Sequence, residues 1–67
     1  MIQIQLNGEL RDVPVGTSVA GLVELLGHAG RRVAVEVNRE IVPKSLHGER
    51  LLAQGDAVEL VHALGGG

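Results

Sequence analysis

Three consecutive glycines, Gly65-Gly66-Gly67, follow Ala63-Leu64 at the end of this 67-residue sequence. Lacking Cβ, such a run can lie extended in a slot too narrow for any other residue. Extended, it carries a carboxylate about 10 Å beyond Leu64. A carboxylate is a weak electrophile, because charge and resonance both resist nucleophilic attack. Joined to AMP as a mixed anhydride, it gains a good leaving group. A sulfur nucleophile can then displace AMP and leave a thioester, an acyl persulfide or a thiocarboxylate. This chemistry asks for no catalytic side chain in the chain that supplies the carboxylate. Gly67 is then the residue modified, and Gly65 and Gly66 are the tail presented to a partner's active site. ATP and sulfur are handled by partners, and no cofactor need be bound. The bland alternative is a frayed terminus or a scar left by expression cloning.

Other constellations are weaker. His28, His47 and His62 are far apart, none at the i, i+4 spacing of a helical metal motif, and they read as solvent-exposed with no metal site. Gly16-Thr17-Ser18 lacks the Gly-Lys-Ser/Thr core of a phosphate loop and reads as a helix cap. The eight carboxylates are scattered, and no pair suggests general acid and base work. No nucleophile stands beside a base. Six basic against eight acidic residues, with no aromatic side chain, argue against nucleic-acid binding. The absence of cysteine excludes disulfides and thiolate-bound metals. No apolar run approaches the roughly 20 residues that span a bilayer, and the start lacks the regions of a signal peptide, so no membrane is expected and the cytoplasm is the default location.

The elements that must position the tail are legible from periodicity. Ile2, Ile4 and Leu6 alternate with Gln3 and Gln5, the period of a half-buried strand. Asn7-Gly8 is a strong hairpin signal, leading to a second strand over Glu9 to Pro14. A two-residue loop sets Val13 opposite Ile2, whereas a three-residue bulged loop turns Leu10 inward; the first is preferred. Thr17 or Ser18 caps a helix on which Val19, Leu22, Val23 and Leu26 form one apolar stripe, with Gly27 and Gly30 bracketing its end. Val33, Val35 and Val37 share a strand face, Asn38-Arg39 turns the chain, and Ile41-Val42 is a short strand stopped by Pro43. Lys44 to Leu52 is irregular, with Leu46, Leu51 and Leu52 expected to plug the open end of the core. Gln54-Gly55-Asp56 is a turn, and Ala57 to Leu64 the last strand, with Val58 and Leu60 inward. One helix on a mixed sheet makes a two-layer α+β domain over residues 1–64, followed by a flexible tail over 65–67.

Order and tail together resemble the ubiquitin-like β-grasp fold, a mixed sheet of four to five strands packed on one helix. Within it, the chain is similar to the sulfur-carrier family of thiamine biosynthesis, ThiS. The resemblance runs through Ile4 to Glu9, Thr17 to Ala20, Arg32 to Asn38, Ile41-Val42-Pro43, Gly55 to Glu59 and Val61 to Gly67. It implies that Gly67 is adenylated by a ThiF-like adenylyltransferase and converted to a thiocarboxylate. Sulfur would come from cysteine through a desulfurase-type donor and pass to thiazole synthase, ThiG, for the thiazole ring of thiamine. The chain would be a carrier and not itself an enzyme.

One helix cannot cover both sheet faces. Val61, Ala63 and Ala34 therefore form an expected apolar patch that docks partners and aims the tail; ordinary scattered surface residues are the competing account. Rival functions are the small subunit of molybdopterin synthase, a ubiquitin-like protein modifier, and a binding module with an incidental tail.

Overall fold

The computed structural model describes residues 1–28 and 32–62. Five strands, β1 (Ile2–Leu6), β2 (Glu9–Val13), β3 (Val33–Val37), β4 (Glu40–Val42) and β5 (Ala57–His62), form a mixed sheet in the order β2-β1-β5-β3-β4. β1 and β5 run parallel, and the other neighbours are antiparallel. Helix α1 (Val19–Leu25) supplies Val19, Leu22 and Val23 to a core shared with the inward faces of the strands. The expected α+β arrangement, one helix on a mixed sheet, is therefore the observed one. Gly30, Ala63, Leu64 and the three tail glycines lie outside the described residues.

The β1–β2 hairpin has the two-residue register, with Ile2 opposite Val13. Asn7 and Gly8 take φ of +50° and +85°, so the turn twists with the strands and needs no bulge. Leu10 accordingly faces away from the core and is 63% exposed. Asn38 and Arg39 repeat this left-handed pair, at φ +53° and +68°, between β3 and β4.

Seven residues are too few to hold a helix alone in water. Its ends are accordingly well tied. Ser18 is the N-cap, its Oγ accepting from the Gly21 N–H at 3.0 Å. Thr17 Oγ1 instead donates to the Pro14 carbonyl at 2.7 Å. At the other end Gly27 is left-handed, the Gly27 N–H reaches the Glu24 carbonyl and the His28 N–H reaches the Val23 carbonyl. Those two bonds are the Schellman closure of a helix C-terminus.

Lys44 to Leu52 is more ordered than its sequence suggests, and only one of its three leucines enters the core. Lys44–Leu46 is a 3-10 turn, and Leu51 bridges Ser18 in extended conformation. The Val19 N–H bonds the Arg50 carbonyl and the Leu52 N–H bonds the Thr17 carbonyl, each at 2.9 Å. In an extended stretch adjacent side chains point to opposite sides. Leu52 is buried, so Leu51 must face out, and it is 54% exposed. Leu46 is 44% exposed. The expected plug is therefore Leu52 alone.

A polar cluster starts β5. Asp56 is buried, and its carboxylate accepts from the Ala53 N–H at 2.8 Å and from Asn38 Nδ2 at 3.0 Å. Asn38 Oδ1 accepts from the Ala57 N–H at 3.0 Å, and the Asn38 N–H reaches the Ala57 carbonyl at 2.7 Å. Arg50 approaches Asp56 only at 3.8 Å with a partly exposed guanidinium, a contact of small value.

Two stability outcomes follow from this packing. Leu22→Ala, at a side chain only 1% exposed, should cost about 2–5 kcal/mol in urea unfolding. Leu25→Ala, one helix position off the stripe and 64% exposed, should change stability by less than about 0.5 kcal/mol. Asp56→Ala removes the acceptor of two part-buried hydrogen bonds and should cost about 1–3 kcal/mol, whereas Arg50→Gln should cost under about 1 kcal/mol. Equal losses for Asp56 and Arg50 variants would assign the cluster to the ion pair instead.

Candidate functional site

The site is built on β5, the strand that leads toward the glycines. Val58 and Leu60 point into the core, while Ala57, Glu59 and Val61 are exposed on the opposite, helix-free face. On one flank β3 pairs with β5 from Val37↔Val58 to Val33↔His62. On the other flank β1 pairs only at Gln5↔Ala57 and Leu6↔Val58. Beyond that point β1 has already entered its turn, and Asn7 continues the ladder. Its N–H donates to the Val58 carbonyl at 2.9 Å. Its Oδ1 accepts from the Leu60 N–H at 2.9 Å, and its Nδ2 donates to the Leu60 carbonyl at 3.2 Å. The carboxamide thus stands where the next peptide group of β1 would stand.

The helix-free face is set by the strand register. Ala34 and Val61 are opposite one another, and both are exposed, Val61 by 60%. Two of the three expected patch residues are therefore neighbours on an open surface; Ala63 lies outside the described residues. Glu36 is opposite Glu59 on one side and Ile41 on the other, and Ile41 is 71% exposed. Gln3↔Asp12 and Gln5↔Leu10 complete the face toward β2. The outward strand positions thus carry Asp12, Glu36 and Glu59 and no lysine or arginine. Like charges directly opposite across a ladder weaken a sheet, so the Glu36–Glu59 pair adds no stability to this face. The Glu36–Glu59 pairing was not apparent from the sequence, because it joins strands far apart along the chain, and Ile41 comes beside it through the β3–β4 hairpin register.

The remaining candidates do not assemble into a centre. Among the described residues no three His, Asp or Glu side chains gather as a metal site would require. His47, expected in solvent, is half-buried instead. Its Nε2–H donates to the Val42 carbonyl at 2.9 Å, and its own carbonyl accepts from the Ala20 N–H at 2.9 Å. It ties the 3-10 turn to both β4 and α1, a structural task. His28 is also half-buried. A groove of about 330 Å³, lined by Val37, Asn38, Ile41, Val42, Leu46 and Arg50 among others, lies by the start of β5 and not by its tail end. Among the described residues no helix is long and apolar enough to cross a membrane.

Comparison with known proteins agrees with this architecture. A solved structure described as thiamine biosynthesis protein ThiS from Geobacter metallireducens superposes with a TM-score of 0.84 at 29% identity, covering 98% of this chain and 100% of that one. A thiazole synthase of Magnetococcus marinus is 41% identical over 66 residues, which are 98% of this chain but 20% of that protein. This chain therefore spans about a fifth of the length of that relative. The uncharacterized protein ycf40 of Porphyra purpurea is 32% identical over 98% of this chain and 93% of its own length. The family model for ThiS matches residues 4–67, nearly the whole sequence and including the terminal glycines, and the chain belongs to the ThiS family.

Proposed function

We propose that this chain is a sulfur carrier whose working group is the carboxylate of Gly67. The observation that carries the reading is the ThiS-family match running through Gly65-Gly66-Gly67, which follow β5 in the sequence after Ala63 and Leu64. A carboxylate oxygen of Gly67 attacks the α-phosphorus of ATP in an adenylyltransferase of the ThiF type and releases pyrophosphate. Sulfide attacking the acyl adenylate expels AMP and leaves the thiocarboxylate. Where the donor is a desulfurase-type persulfide, its terminal sulfur attacks instead, and a thiol then reduces the acyl persulfide to the same product. The thiocarboxylate is ionised at neutral pH and is a far better nucleophile than the carboxylate it replaces.

The protein's own share of this chemistry is presentation. Gly65, Gly66 and Gly67 thread the active site of the partner, where a Cβ would collide with the walls. Thiazole synthase is the acceptor this reading favours. It is supported by the Magnetococcus marinus thiazole synthase, which contains a stretch similar to this whole chain. The Val61, Ala34 and Ala63 patch, with Ile41 and the Glu36–Glu59 pair beside it, is the docking face. It is the exposed side of the strand from which the tail departs.

Two experiments test this. Intact mass after incubation with ATP, a sulfide source and a ThiF-type enzyme should rise by the exchange of one oxygen for one sulfur. The gain should vanish when Gly67 is deleted. No gain with a demonstrably active enzyme would leave a small interaction domain with an unexplained tail. Val61→Asp adds a third carboxylate to the docking face at a site that is 60% exposed. It should leave thermal unfolding nearly unchanged and weaken binding to that enzyme at least about tenfold, or about 1.4 kcal/mol. Undiminished affinity would remove the patch from the reading.

A further inference from the structure

The two asparagines of the left-handed turns do the same thing at opposite ends of β5. Asn38 uses its backbone N–H and its carboxamide oxygen to hold both polar groups of Ala57, at the start of the strand. Asn7 uses its carboxamide to hold both polar groups of Leu60, near the strand's far end. Each side chain extends the ladder where the neighbouring strand has turned away, and each residue has the positive φ that asparagine tolerates. Their positions relative to the tail differ. Asn38 holds a point ten positions before Gly67, and Asn7 a point seven positions before it.

We infer that Asn7 is a positioning residue for the carboxylate of Gly67, acting through the backbone of Leu60. This rests on the proposed carrier function. β5 past Val58 has main-chain pairing on its β3 flank only. A strand held on one flank can rock about that ladder. The Asn7 carboxamide closes that flank at Leu60, two residues before the end of β5. It fixes the direction in which β5 leaves the sheet and leaves the docking face untouched, because Asn7 belongs to the β1–β2 turn and the face is made by Ala34, Ile41, Glu59 and Val61. Removing the carboxamide should therefore alter how well the tail is delivered once the partner has bound, and leave binding itself nearly intact.

Asn7→Gly tests this cleanly. Glycine keeps the left-handed turn and the backbone N–H bond to Val58, and deletes only the two bonds to Leu60. Asn38→Gly is the control: it too loses a carboxamide with two hydrogen bonds, here to the Ala57 N–H and the Asp56 carboxylate, at the end of β5 remote from the tail. The readout is ATP-dependent pyrophosphate release by the ThiF-type enzyme, with each variant assayed at a temperature where it is fully folded. For Asn7→Gly, kcat should fall about tenfold or more, since a displacement of about 1 Å at a reacting group can cost about a hundredfold. KM should change less than about threefold. For Asn38→Gly, kcat should stay near the wild-type value, even if its unfolding temperature falls as far or further. Should Asn7→Gly fail to fold, Asn7→Asp keeps the turn and the acceptor for the Leu60 N–H while losing the donor to its carbonyl, and should show the same kcat loss in part. Wild-type kcat in the Asn7 variants, or equal losses in the Asn7 and Asn38 variants, would overturn the inference and reduce Asn7 to a structural clasp. A wild-type chain that acquires no thiocarboxylate would sink the carrier function and this inference together, whereas a competent wild type with an indifferent Asn7 sinks only the latter.

Discussion

The structure depends on how β5 is held in the middle of the sheet. It is the last strand in sequence but the central one in space, and it joins the β1–β2 hairpin to the β3–β4 hairpin. Neither hairpin could bury a face alone. The parallel β1–β5 contact is short, covering two residue pairs, so much of the joining falls to side-chain amides. Asn7 and Asn38 each replace a missing stretch of neighbouring strand, and Asp56 gathers the donors where the strand begins. A carboxamide can do this because it carries a donor and an acceptor with the spacing of a peptide group. Among the described residues no buried side-chain polar atom lacks a hydrogen-bond partner.

The same arrangement has to hold so small a chain together. The core is wholly aliphatic, and its largest fully buried side chains include Ile4, Val35, Val58 and Leu22, drawn from three strands and the helix. A small core supplies little surplus stability. The strand that leads to the tail is accordingly placed at the centre, where it is packed by side chains from both hairpins and by the helix. The uncovered sheet face is a direct consequence of having one helix for two faces. Its apolar and acidic residues lie on the same strands that hold the tail's root.

The elements themselves were legible because their signals are local. Alternation of Ile2, Ile4 and Leu6, the stripe from Val19 to Leu26, and the Asn7-Gly8 pair are short-range patterns of period or φ, and β1, α1 and the hairpin register follow from them. The segment from Lys44 to Leu52 was not legible. Its three leucines look alike in composition, but only bonds to Thr17 and Val19 decide that Leu52 faces in and Leu51 out. The place of His47 was not legible for the same reason, since its partner Val42 and the contact to Ala20 are fixed by how the 3-10 turn docks.

For the candidate site, the sequence by itself carried the residues on which the proposed chemistry rests, Gly65-Gly66-Gly67. It also determined that Val61 lies opposite the inward face of β5, because parity along a strand is a local property. Only the tertiary structure decided what stands beside Val61. Ala34, Ile41 and the Glu36–Glu59 pair come from strands whose register is set by hairpin geometry and core packing. The second role of Asn7 also needed the fold. Read locally, Asn7-Gly8 is a turn and nothing more. It becomes a clasp on Leu60, 53 positions away, because a parallel strand inserted between two hairpins leaves peptide groups that only a neighbouring side chain can reach.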